Sequence, residues 1–543
     1  MNASSAKNAA LTSSAPRSGT PAGRTSGGVM SPKRRSDSRG AGAWRPEGGV
    51  TLPVSAPGGA LDAGVSPPRH APGANIRRTR ETALGPRRSI SRWCRPRRLA
   101  SSPKRPSAPG QPLPASLRAP IIAAVIPPIG RWVAVPPDDA LPALTTRRAD
   151  AEVDPTTLGM RPDDIDAIWQ GAVDLYRSRT QPAVALCVRH RGQVIVDRAI
   201  GHVRGNAPGA TGPPGPLATP DTPFCIFSAS KAVTALLMHE LDARDALRLD
   251  DPVAEYIPEF AAHKKGWVTL RHLLNHRAGI PAVPLEYDPL ALAGEWDRII
   301  ALLCAQKPVS VAGRRLAYHA ISGGFILAEA AQRATGERIE AMLQRMISGP
   351  LGLDMAYGIS AERIDAVAEN AYTGLPVPFP ISRIIKRSLG LSMADVVDAS
   401  NDPRFYTSVV PSGNVVTTAD GLSRFFQLLL DEGAAGGVQV LGRRAVRRAR
   451  VESAYLELDL TLGIPLRYGQ GLMLGSHPFS MYGPGTRKAF GHYGFVTVIG
   501  WADPERDLAA AVMTSGKPIV ASHYLALWRL LSAIARRVPK HGG

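Results

Sequence analysis

In the stretch FCIFSASKAVTALLMHELDA, Phe224 to Ala243, a serine, Ser228, stands three residues before a lysine, Lys231, within an otherwise apolar run. Residues i and i+3 of a helix share a face one turn apart, so the hydroxyl and the amine can touch. The lysine is unexpected. Of 65 basic residues, 11 are Lys and 54 are Arg, so this chain writes Arg wherever a fixed charge suffices. A Lys beside Ile226, Phe227, Val233 and Leu236 meets a need Arg cannot, the loss of a proton near neutral pH. A serine hydroxyl is a weak nucleophile until a neighbouring base takes that proton. The pair reads as nucleophile and base. The same spacing recurs at Ser4/Lys7 and Ser101/Lys104, but only Ser228/Lys231 opens an apolar helix after a β-rich run.

The elements that must position this pair start near residue 160. MRPDDIDAIWQGAVDLYRSR has Ile165, Ile168, Trp169, Val173 and Leu175 at helical spacing, with acids in the first turn. PAVALCVRHRGQVIVDRAIG gives two β-rich runs about an Arg191-Gly192 turn, a hairpin. FVTVIGWADPERDLAAAVMTS gives two strands joined at Asp503-Pro504, and HYLALWRLLSAIARRV a closing amphipathic helix. Helices and loops fill the middle, and LRLDDPVAEYIPEF reads as a loop closed by Pro252 and Pro258. Residues 376–402 show no readable pattern. The layout is α+β, with hairpins from both ends sharing one antiparallel sheet.

Charge divides the chain. Residues 1–118 hold 21 Lys+Arg against 4 Asp+Glu, while the rest carries a net charge of only +3. The leader, rich in Arg, Pro, Ser and Gly and poor in aliphatics, reads as disordered. Its basicity is not a folded nucleic-acid surface, and no specific nucleic-acid partner is expected. Residues 119–155 read as a linker. Within it APIIAAVIPPIGRWVAVP, Ala119 to Pro136, is the only membrane candidate, too short and too proline-rich to span. The compartment stays open, the cytoplasm being favoured over export, and so does the oligomeric state. Cys94, Cys187, Cys225 and Cys304 show no paired or metal-ligand spacing. Neither a metal nor a cofactor is expected.

FSASKAVTALLMHELDARDALRLDDPVAEYIPEF resembles the nucleophile region of the serine β-lactamase-like family, which includes penicillin-binding proteins, class C β-lactamases and related carboxylesterases. VTLRHLLNHRAGIP, YHAISGGFILAEAAQRATG, VVPSGNVVTTADGLSRFFQLLLDEG, RYGQGLML and FGHYGFVTVIGWADPERDLAAAVMTSG follow the family's later blocks in order, so the resemblance covers about residues 160–537 and a domain is expected over 156–540. It implies a β-lactamase/transpeptidase-like fold, an antiparallel sheet flanked by helices plus a mostly helical subdomain. It also implies Ser228 as the acylated nucleophile, with Lys231 and Tyr318 as its proton-transfer partners. His492-Tyr493-Gly494 aligns with the family's Lys-Thr-Gly strand. Gly494 would admit close approach to substrate, and the amides of Ser228 and Phe495 would form the oxyanion hole. Two departures stand out. Ala320 replaces an Asn common two residues after the tyrosine, and His492 replaces a permanent positive charge.

The loss of the Asn at 320 weakens a β-lactamase reading, while His492 and the bulky Tyr493, which stands in place of a small hydroxyl residue, favour an uncharged carboxylic ester over an anionic β-lactam or peptide terminus. The expected activity is ester hydrolysis of a small molecule through an acyl-enzyme. The alternatives are acyl transfer, β-lactamase or peptidase activity, and a non-catalytic binding protein on the same scaffold. His276 is expected to hold a turn. Asp250 and Asp251 read as loop and capping residues, and Asp420 as a helix N-cap.

Overall fold

The apolar runs from the two ends of the domain meet at the centre of one sheet. The structure is a computed structural model that describes residues 129–284 and 286–541. The leader 1–118 and residues 119–128 lie outside the described residues. The strands, in chain order, are β1 (Thr145–Arg147), β2 (Ala183–His190), β3 (Gln193–Gly201), β4 (Ala454–Leu458), β5 (Pro465–Tyr468), β6 (Met473–Leu474), β7 (Phe490–Gly494), β8 (Val498–Asp503) and β9 (Leu508–Thr514). They lie in the order β1-β3-β2-β9-β8-β7-β6-β5-β4, all neighbours antiparallel. The expected pairing of the two terminal hairpins is the β2–β9 ladder, in which Cys187 faces Ala511 and Ala185 faces Met513.

The central strands read as unbroken apolar runs because both faces of the sheet are covered. Ala185, Cys187, Ala509, Ala511 and Met513 belong to the core shared with the helix Ala419–Leu430. Val184, Leu186, Val188, Ala510 and Val512 pack instead with the helices Pro162–Leu175 and His523–Arg537. Successive side chains point to opposite faces, so one strand serves both layers. Each Val, Leu or Met side chain fully buried here contributes roughly 1.5–3 kcal/mol, and each Ala methyl roughly 0.8. Gly500 sets the spacing on one side: a Cβ there would lie 2.4 Å from the Phe426 ring, so any larger residue pushes the helix Ala419–Leu430 off the sheet.

That helix begins differently from its expected start. Thr418, not Asp420, is the N-cap, its side chain accepting from the Gly421 amide at 3.0 Å. Asp420 lies in the first turn, where it pairs with Arg189 of β2 and interacts with the helix's positive end.

The segment read as a linker is, from residue 131, part of the domain. Arg131 and Gly374 exchange backbone hydrogen bonds of 2.8 and 2.7 Å, the Val133 amide donates to Arg179, and the Val133 side chain is buried. β1 then forms the edge of the sheet beside β3. Residues 131–133 are therefore tied into the fold.

Between β3 and β4 the chain is mainly helical. The helix Ser230–Ala243 runs through its centre, buried from Ser230 to Asp242. Leu236, Leu237 and Leu241 join the main core. A three-stranded sheet of Phe224–Cys225, Val415–Thr417 and Met355–Tyr357 leads the chain to the start of this helix. LRLDDPVAEYIPEF is not a plain loop: Pro252 and Pro258 start the short helices Val253–Tyr256 and Pro258–Lys264.

Candidate active site

Ser228 sits in a single 3₁₀ turn, Phe227–Ala229, that runs directly into the helix starting at Ser230. Phe227 adopts φ +46°, a left-handed conformation that a bulky residue holds only under constraint from its surroundings. Two ties from the small sheet supply that constraint. The Ile226 amide donates to the Val415 carbonyl at 2.9 Å, and the Val415 amide donates to Ser230 Oγ at 3.1 Å.

Lys231, one turn on, is 8% exposed, and its Nζ lies 3.2 Å from Ser228 Oγ. The same nitrogen donates to the main-chain carbonyls of Ala320 at 2.7 Å and Ser412 at 3.0 Å. No carboxylate offsets the lost hydration of the ammonium, so burial pushes its pKa down to about 7. Position 320 carries no side-chain amide, and its backbone carbonyl holds the lysine instead.

Tyr318 brings its ring to 4.8 Å from Lys231 Nζ. Burial raises its phenol pKa, while the neighbouring Ser228 hydroxyl draws it back slightly. The Tyr318 hydroxyl is buried without a hydrogen-bond partner at bonding distance, and lies near enough to the Ser228 hydroxyl to feel it. Asp459 fixes the tyrosine from behind: its Oδ1 accepts from the Tyr318 amide at 3.1 Å and its Oδ2 from the Tyr468 hydroxyl at 3.3 Å.

Three histidines from distant segments surround this pair. The His276 ring packs 4.6 Å from Tyr318 and 5.8 Å from His319, and its Nδ1 accepts from the His319 amide at 3.3 Å. His276 also has φ +56°, so it holds a turn, as expected, and supports the tyrosine besides. His492 lies 6.4 Å from Tyr318, with Nδ1 2.7 Å from the Tyr493 carbonyl. Burial and the nearby Lys231 push His492 down to about 3, and burial does the same to His319. Burial likewise drives His276 well below its usual range. The site is lined by neutral imidazoles. Position 492 supplies no positive charge.

Gly494 stands hard against the nucleophile turn. A Cβ there would lie 2.1 Å from the Ile226 carbonyl, so the residue's bareness lets β7 close on the nucleophile turn. This closure brings Phe495 beside Ser228: the Phe227 and Phe495 rings are 5.7 Å apart. Behind them lies Lys517, fully buried, with Nζ 2.8 Å from the Thr514 carbonyl and 4.8 Å from the Phe227 ring. Sequence reading missed Lys517, Asp459 and His319. The rarity of Lys could have pointed to the first; nothing local marks the other two.

Ser228 opens into an apolar cavity of about 100 Å³, bordered by Phe227, Leu389, Leu391, Phe405, Val410 and Phe495 and by no charged side chain. Leu389, the last residue of the helix Ile381–Leu389, and Val396 and Ala399 of the helix Met393–Ala399 complete its wall, in a stretch without readable pattern. Among the described residues, no three His, Cys, Asp or Glu side chains group to hold a metal ion. Cys187, Cys225 and Cys304 are buried free thiols.

Residues 165–533 match the Beta-lactamase family. The Esterase/beta-lactamase LipL of Mycobacterium tuberculosis is 27% identical over 346 residues, which cover 59% of this chain and 77% of that protein. Esterase EstB of Burkholderia gladioli is 30% identical over 246 residues, 42% of this chain and 60% of that protein. A penicillin-binding protein homolog from Caulobacter crescentus superposes with a TM-score of 0.60 at 26% identity, covering 70% of this chain and 98% of its own.

Proposed function

The chain belongs to the Beta-lactamase family, and from that premise we propose that it is a serine hydrolase cleaving carboxylic esters through an acyl-enzyme on Ser228. The observation that carries this reading is the 3.2 Å approach of a buried, carboxylate-free Lys231 amine to the Ser228 hydroxyl. A neutral amine has two N–H groups and one lone pair. The Ala320 and Ser412 carbonyls take the two hydrogens, leaving the lone pair for the Ser228 proton. Ser228 Oγ then attacks the ester carbonyl as Lys231 accepts that proton. The amides of Ser228 and Phe495 would receive the developing oxyanion, worth roughly 3–4 kcal/mol per well-placed donor.

Collapse of the tetrahedral intermediate expels the alcohol, which needs a proton. The Tyr318 phenol, kept protonated by its burial, gives one to the departing oxygen and is refilled by the Lys231 ammonium. Water retraces the path: it loses its proton through the same groups, attacks the acyl carbon and releases the acid and Ser228. Esterases among the relatives support an ester as substrate. An uncharged ester also suits a cavity without charged lining and a neutral His492. Incubation with a p-nitrophenyl ester followed by rapid acid quench and intact-mass spectrometry should show the chain heavier by one acyl group, mapped to the peptide holding Ser228. No adduct in the protein, or one persisting in Ser228→Ala, sinks the reading.

A further inference from the structure

The helix Ile381–Leu389 has no buried residue. Ile381, Ile384, Ile385 and Leu389 fall on one face and Arg383, Lys386 and Arg387 on the other. Ile381 is 39% exposed, Ile384 41%, and Phe379, just before the helix, 74%. Among the described residues none of the three cations pairs with a carboxylate, although most arginines of this domain do. The exposed acids nearest in sequence, Asp395 and Asp398, belong to the next helix, where Asp395 accepts from Ser392.

This helix has two neighbours that matter. On one side Ile384 and Arg387 share a groove of about 320 Å³ with Val309, Arg315 and Leu460, whose apolar members are themselves exposed. On the other, Leu389 forms part of the wall of the Ser228 cavity. Residues 129–131 meet the chain shortly before Phe379. Arg131 is hydrogen-bonded to Gly374, five residues before Phe379, and Ile129 is 75% exposed. Five residues span at most about 18 Å. Upstream stand the 21 basic and 4 acidic residues of the leader.

We propose that this face docks on an anionic lipid surface, laying Phe379 and the Ile381–Leu389 helix into the headgroup layer, and that the Ser228 cavity takes from it esters with an aliphatic tail. A second copy of the chain is a poor occupant, because its contact would set Arg383, Lys386 and Arg387 against their own kind. An anionic bilayer offers both complements at once: apolar depth for Phe379, Ile381 and Ile384, and negative headgroups for the cations. No described helix is long and apolar enough to cross a membrane, so the contact is in the plane of the surface. The substrate half rests on the ester-hydrolase reading; the docking half does not.

The test is flotation of the full chain with phosphatidylcholine vesicles and with phosphatidylcholine–phosphatidylglycerol vesicles. Wild type and Ser228→Ala should both partition at least tenfold more strongly onto the anionic vesicles. Phe379→Ser/Ile381→Ser and Arg383→Gln/Lys386→Gln should each cut that partition about tenfold or more with circular dichroism unchanged. Hydrolysis of p-nitrophenyl octanoate dissolved in anionic vesicles should exceed that in neutral vesicles, a gain both double variants lose while cleaving soluble p-nitrophenyl acetate normally. Equal binding to neutral vesicles, or undiminished binding by both variants, overturns the docking. So does a concentration-dependent dimer that these substitutions abolish. Helix-dependent vesicle binding by a protein that cleaves no ester keeps the docking and removes the ester-hydrolase reading instead.

Discussion

Lys231 Nζ stands 3.2 Å from Ser228 Oγ and gives its remaining hydrogen bonds to two main-chain carbonyls rather than to an acid. The charged form has no counter-ion, and its pKa falls to about 7. The active form carries the neutral amine, which predominates above that value. kcat/KM for a soluble ester should therefore climb tenfold per pH unit on the acid side, bend near pH 7 and level off above it. Lys231→Arg, charged at every usable pH, should lose at least a thousandfold in rate and regain nothing up to pH 9. A pH–rate profile checks both. A flat profile, or an active Arg variant, removes the amine as the base.

The same burial has a cost to stability with a definite sign. Between about pH 7 and the ordinary lysine range near 10.5, the unfolded chain holds a proton at position 231 that the folded chain does not. Stability from this group therefore rises with pH across that window. Lys231→Met removes the effect. Relative to wild type, its stability in urea titrations should fall by roughly 3–5 kcal/mol between pH 7 and 10.5. A difference that stays constant across that range would mean the amine is already charged in the folded protein.

Tyr318 is expected to protonate the leaving oxygen, so its importance should depend on the leaving group. A nitrophenolate departs without a proton, whereas an alkoxide needs one. Tyr318→Phe should therefore slow alkyl esters by about 10²–10⁴ and nitrophenyl esters much less. Ser228→Ala should abolish turnover of both. A fluorophosphonate, whose fluoride leaves unprotonated, should still label Tyr318→Phe and not Ser228→Ala. Equal losses on the two ester classes would restrict Tyr318 to a supporting role.

The terminal hairpins and the helix from Ser230 were legible because each is a long apolar run with one dominant period, and a run such as AVALCV has few other places to go. Ser228, Lys231 and Tyr318 were legible through a rare residue type and a family resemblance. The histidine cluster was not. His276, His319 and His492 lie on three segments, and only the closed fold makes them neighbours. The edge strand β4 escaped because its exposed residues, Tyr455, Leu456 and Leu458, are apolar and blur any inside–outside alternation. The helix Ile381–Leu389 is nine residues long and follows three prolines, Pro376, Pro378 and Pro380, which argue for a loop. Asp420 was misread for a simpler reason: Thr418 and Asp420 are both good caps, and spacing alone does not choose between them.

Ala399 offers a direct probe of what the cavity beside Ser228 holds. It is nearly buried, ends the helix Met393–Ala399 and faces the same space as Leu391, Val396 and Val410. Leu at 399 is a good helix residue, so the substitution adds three carbons to the cavity with little strain on the backbone. The cavity is only about 100 Å³, and those carbons take up much of it. If the aliphatic part of the ester lies there, Ala399→Leu should lower kcat/KM for a nitrophenyl octanoate by about 10–200-fold and leave the acetate almost unchanged. A shift in KM with the melting temperature preserved identifies exclusion from the pocket. A uniform loss on both esters would place the chain elsewhere, because a short acyl group that never reaches position 399 has no reason to notice it.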